Sequence, residues 1–220
     1  MARHVNLLSP EPHENSVLNA PVERSQANPS VRYAADWNDL VATAKNDDIE
    51  LVLWKRSQLS SIGATEDAPK SEFEILIGEQ QDILAGFTEA FKKSDWPTSL
   101  HEIVEQDVHA FLEAFEARLS GSQYRLRLQA LSDDACRKFH QDRTFQRLII
   151  TYRGLGTVWR YMDSLVEHKA IEMECVLLRG KRTGQDTQIL HKSPLFPSGH
   201  LPRLIMVIDV MPNSSPLTSI

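Results

Sequence analysis

The sequence predicts an α+β protein, with a helical N-terminal part packed on a C-terminal β domain. Three observations carry this. Between Asp36 and Leu119 apolar residues recur at the three-to-four spacing of helix faces. After Gly121 they alternate or run together as strands do. Short clusters of Gly, Pro, Asp and Ser then separate the apolar runs. The 220 residues suffice for one domain with an extension and a core that needs no covalent staples. With 41% hydrophobic and 25% charged residues, the composition excludes a disordered chain, a collagen and a coiled-coil rod. No apolar run approaches the ~20 residues of a membrane span, so no membrane partner is expected.

The elements follow in order. Residues 1–30, rich in Pro, Asn, Ser and Glu, read as a flexible arm. Residues 31–120 read as the mainly helical part with one short strand. Asp36 suits the N-cap of a helix whose apolar face is Trp37, Leu40, Val41 and Ala44. Ile49 to Trp54 is the short buried strand, and Ser57 to Lys70 a polar connection. Glu72 to Lys93 is helical in pattern, interrupted near Gly78, and Trp96-Pro97 ends it. A further helix from Thr98 or Ser99 buries Ile103, Val104, Val108, Phe111, Leu112, Phe115 and Leu119, and Gly121 stops it.

Residues 121–211 read as the β domain and 212–220 as a tail. Tyr124-Arg125-Leu126-Arg127-Leu128-Gln129 alternates like a strand with one wet face. Strands follow at 147–152, 174–178, 188–191 and 203–209, a spacing that suits a sandwich or barrel. Charge divides with the pattern: the net −6 is −11 over residues 1–120 and +5 over 121–220. The positive charge is scattered, so no nucleic acid is expected; the substrate, small molecule or protein, is left open, as is the oligomeric state. Two cysteines make no disulfide framework, and the first residues lack the apolar stretch of a secretory signal, which points to the cytoplasm.

Chemistry concentrates in Cys136-Arg137-Lys138-Phe139-His140-Gln141-Asp142. On a strand His140 and Asp142 share a face, so imidazole and carboxylate converge. His191 lies in a later strand, and Arg203 opens the last one. Two histidines and a carboxylate on β-structure form the facial triad of non-haem Fe(II) oxygenases, which leaves coordination positions open.

His-x-Asp, then His, then Arg resembles the order found in Fe(II)/2-oxoglutarate dioxygenases. More closely, Leu51 to Arg56, Cys136 to Asp142, Thr151 to Trp159, His191 to Pro194 and Arg203-Leu204 resemble the bacterial family called domain of unknown function 1826, over roughly residues 35–210. Leu155 and Lys192 stand where that pattern leads one to expect Pro and Arg. The resemblance implies a double-stranded β-helix of the jelly-roll or cupin kind. It also implies Fe(II) held by His140, Asp142 and His191, with the 2-oxoglutarate carboxylate on Arg203 and within reach of Tyr152.

Other readings stay open at this point. Cys136 and Cys175 with His140 and His191 make a Cys₂His₂ zinc site if a turn brings them together. His200 competes with His191 as a ligand. A Cys–His hydrolase and a ligand-binding β-barrel without catalysis are the remaining alternatives.

Overall fold

The computed structural model describes residues 30–56, 69, 76–117, 121–133, 136–181, 187–196 and 200–211. The arm before Ser30, most of the 57–70 connection, the Pro197 to Gly199 turn and the 212–220 tail lie outside the described residues. The chain is a mixture of few helices and extensive sheet. Its elements are β1 (Val31–Tyr33), α1 (Trp37–Thr43), β2 (Leu51–Trp54), β3 (Leu76–Gly78), α2 (Gln80–Lys92), α3 (Thr98–Glu116) and β4 (Gln123–Leu131). They continue with β5 (Gln146–Arg153), β6 (Val158–Tyr161), β7 (His168–Lys169), β8 (Cys175–Arg179), β9 (Ile189–Lys192) and β10 (Arg203–Met211).

Local chemistry explains the start of α1. Asp36 caps α1: its side chain accepts from Asp39 N at 2.9 Å. The interruption near Gly78 is a change of structure, because residues 76–78 leave the helical pattern and pair with β4. Glycine is required there, since a Cβ on Gly78 would stand 2.9 Å from Asp82 Cβ in the helix that follows. Among the described residues of 31–120 there are therefore three strands where one was expected. β1 and β3 are three residues each, too short for a period to announce them.

Seven strands make one sheet in the order β1-β2-β8-β5-β10-β4-β3, and a second sheet has the order β7-β6-β9. Residues on either side of position 121 thus share the large sheet. The strand period sorts its side chains between two faces. Leu126, Leu128, Ile150, Met206 and Ile208 join one buried cluster with Leu40, Phe87 and Phe111 of the helices. Ile149, Val176, Leu178, Ile205 and Val207 join another with Trp159 and Ile189 of the small sheet. Every residue of β10 from Arg203 to Val210 is buried, which is why that strand reads as a continuous apolar run and not an alternating one. Among the described residues no helix is long and apolar enough to cross a membrane.

One polar group interrupts the helix–sheet core. Asp107 lies on the buried face of α3, where Arg56 Nη1 donates to its two oxygens at 2.6 and 2.7 Å and the Tyr152 hydroxyl donates to Oδ2 at 2.7 Å. Burial pushes the Asp107 carboxyl above its ordinary value even with Arg56 beside it. Asp107→Ala leaves a buried guanidinium and a buried phenol without their acceptor. The expected loss is about 3–5 kcal/mol of unfolding free energy in urea denaturation. A loss below ~1 kcal/mol, the range of exposed ion pairs, would show that the contact contributes little.

Candidate metal centre

His140 and His191 are joined first through their backbones. Each N–H donates to the other's carbonyl at 3.0 Å, an isolated antiparallel bridge. Residues paired in this way project their side chains from the same face, and the two rings lie 4.4 Å apart between centroids. Asp142 reaches the same spot: Oδ1 is 3.6 Å from His140 Nε2, and Oδ2 is 3.2 Å from His191 Nε2. One ligand atom from each of the three residues lies within 4.8 Å of the others. The strand expected through His140 and Asp142 reduces to the single bridge at His140. Lys181 N secures the next turn by donating to Asp142 O at 2.6 Å.

The protonation pattern favours a cation. His140 Nδ1 is 3.0 Å from Lys138 O. A carbonyl only accepts, so Nδ1 carries a proton and Nε2 is the nitrogen turned towards Asp142. Burial raises the Asp142 carboxyl, but His191, Arg147 and His140 outweigh it and hold the group below its ordinary value. Asp142 Oδ2 is buried and makes no hydrogen bond among the described residues. A buried carboxylate with one oxygen 3.6 Å from one imidazole nitrogen and the other 3.2 Å from a second fits a divalent first-row ion.

The cluster opens on a cavity of about 180 Å³, lined by Arg127, Cys136, His140, Arg147, His191 and Arg203 among others. That is below the ~300–1,000 Å³ of drug-sized pockets and suits a small ligand. Arg203 is 3% exposed. Its Nη2 is 3.5 Å from Thr151 Oγ1, and Nε and Nη1 have no hydrogen-bond partner among the described residues. Burial pushes its pKa down to about 10. Gly154, at φ +94°, passes so close that a Cβ there would stand 3.0 Å from Arg203 Cγ.

Other expectations are corrected. Tyr152 does not face the cavity. Alternation along β5 puts Tyr152 on the same face as Leu148 and Ile150, towards the helices and opposite Ile149, where its hydroxyl meets Asp107. Cys175 is buried in that same core, on the far side of the sheet, so the zinc set with two cysteines is not assembled. Cys136 lines the cavity but is outside the group of converging ligand atoms. His200 is exposed and outside the group too.

Sequence reasoning missed Arg127, Arg147 and Asp209. The signal was the alternation Arg125-x-Arg127-x-Gln129, whose polar face looks wet but turns towards the space between the sheets. There Asp209, fully buried, receives Arg125 Nη2 at 2.6 Å, Arg147 Nε at 2.5 Å and Arg127 Nη2 at 3.4 Å.

Fold and site together define a two-sheet α+β protein with a His–Asp–His cluster facing a cationic cavity. The chain belongs to the family described as Protein of unknown function (DUF1826), whose model matches residues 35–209. No curated protein matches it. Among solved structures it is similar to a dioxygenase for auxin oxidation from Arabidopsis thaliana in complex with 2-oxoglutarate, at 9% identity and TM-score 0.44, over 82% of this chain and 91% of that one. It is also similar to a Neurospora crassa protein in complex with α-ketoglutarate and thymine, at 11% identity and TM-score 0.47, over 86% and 88%. A Pseudomonas putida prolyl-4-hydroxylase is similar at 10% identity and TM-score 0.41, over 86% and 97%.

The geometry predicts one divalent ion per chain. Metal analysis of anaerobically purified protein loaded with Fe(II) should find about one equivalent in wild type and in Cys136→Ser and Cys175→Ser, and little in His140→Ala or His191→Ala. Loss of metal in a cysteine variant, with both histidine variants still loaded, would overturn the assignment.

Proposed function

We propose that this chain is a mononuclear Fe(II), 2-oxoglutarate-dependent oxygenase acting on a substrate still to be found. The observation that carries the reading is the pairing of two features in one small cavity: a His–Asp–His cluster and a buried arginine with no anionic partner among the described residues. A buried guanidinium is costly unless it meets an anion. Among the described residues the buried carboxylate of the same strand, Asp209, is taken by Arg125, Arg127 and Arg147.

In this reading His140, Asp142 and His191 hold the ion, and three protein ligands leave room for the cosubstrate. Arg203 binds the distal carboxylate of 2-oxoglutarate, with the Thr151 hydroxyl beside it. Arg203 thereby orients the cosubstrate before chemistry begins. The bound ion supplies dioxygen activation. The apolar residues between the sheets, Ile149, Ile205 and Val207, keep bulk water from the cavity floor. The cavity holds little beyond the cosubstrate, so the substrate approaches from its mouth.

Titration of the anaerobic Fe(II) protein with 2-oxoglutarate, followed by its charge-transfer absorbance, tests this. Wild type should bind. Arg203→Lys should weaken binding about 10- to 100-fold, from roughly 1.5–3 kcal/mol per hydrogen bond to a charged group. Metal content should stay unchanged, and Tyr152→Phe should leave 2-oxoglutarate binding as it was. Equal binding by Arg203→Lys, or none by wild type, ends the oxygenase assignment.

A further inference from the structure

Arg147 touches both the cluster and the interior of the large sheet. It sits in β5 directly opposite Asp209 of β10. Its Nε donates to Asp209 Oδ1 at 2.5 Å, and its Nη1 donates to Asp142 Oδ1. Asp209 is itself held: it is fully buried in β10, an interior strand, and its other oxygen takes Arg125 Nε at 2.9 Å and Nη2 at 2.6 Å. The guanidinium is therefore held from behind by the sheet, and its far edge grips one oxygen of Asp142. The remaining oxygen, Oδ2, has no hydrogen bond and stands 3.2 Å from His191 Nε2.

We infer that Arg147, anchored on Asp209, is a positioning residue that fixes Asp142 so that Oδ2 alone is offered to a metal ion. The inference rests on reading His140, Asp142 and His191 as ligands. Three physical points support it. A carboxylate that is not held rotates about its χ2 and offers a bidentate edge or none; the bond to Oδ1 removes that freedom. A guanidinium is planar, with donors on separate edges, so one residue can join two carboxylates in a fixed plane, which an ammonium cannot. Asp209, fully buried in β10, holds the Nε edge of the guanidinium, so the Nη1 edge that meets Asp142 has a set position.

The sign of the effect separates positioning from plain electrostatics. By Coulomb's law alone, a positive charge beside a cation site weakens binding, so its removal strengthens it. Positioning requires the reverse, because groups that orient metal ligands typically contribute 10–100-fold in affinity.

The experiment is a titration of the metal-free protein with Co(II) as probe, read in the visible spectrum. Wild type, Arg147→Gln, Arg147→Lys and Asp209→Asn are compared, with thermal unfolding of each metal-free protein as the control for folding. Arg147→Gln and Asp209→Asn should bind Co(II) about 10- to 100-fold more weakly than wild type. Arg147→Lys should lie between. Arg147→Gln binding as tightly as wild type, or more tightly, overturns the inference. If Arg147→Gln fails to fold, Arg147→Lys decides, and wild-type affinity there overturns it equally. Wild type that takes up no Co(II) removes the metal reading itself, an outcome distinct from unchanged affinity in the variants.

Discussion

Four arginines on the inner face of the large sheet must each find an anion or remain dehydrated without one, and the site is organised by how that constraint is met. Arg125, Arg127 and Arg147 converge on Asp209, buried in the interior strand β10. Arg147 also reaches Asp142, so the sheet's own electrostatics extend to the cluster of histidines. Arg203 is left over at the far end of the same strand. Charges buried in a protein are ordinarily paired, which makes an unpaired one at a cavity wall the strongest pointer to an anionic ligand.

The other face of the sheet answers a different need. There the strands meet helices, and the apolar side chains of α1, α2 and α3 fill the contact. Asp107, Arg56 and Tyr152 form a closed polar group within it. The same strand β5 supplies both sides, Tyr152 to the helices and Arg147 to the cavity. A shift of one residue in its register would exchange the two faces, since Leu148, Ile150 and Tyr152 meet the helices while Arg147 and Ile149 line the cavity.

Much of this was legible in the sequence. The helices were readable because a buried face repeats over several turns, as Ile83, Phe87 and Phe91 do in α2. The long strands were readable from their β-branched runs, and the triad from spacing and residue type. Three things were not. β1, β3 and β7 are too short to carry a period. β5 is buried on both faces, so its residue pattern does not say which face lines the cavity, and Tyr152 could not be placed from it. The polar side of β4 alternates like a solvated face, and only the presence of a second sheet turns it into the wall of a site. Asp209 looked like the end of an apolar strand because its three partners come from β4 and β5, at sequence distances no local pattern spans.

The placement of β10 has a consequence for how the chain is made. It is the last of the described strands, yet it lies between β4 and β5 in the middle of the large sheet. A ribosome releases β4 and β5 long before β10, and until residues 203–211 emerge each of those strands has an open hydrogen-bonding edge and an uncovered apolar surface. Such edges invite pairing with other chains. Until that closing strand arrives, the other six strands can form only two separate pieces, β1-β2-β8-β5 and β4-β3, each with an open edge.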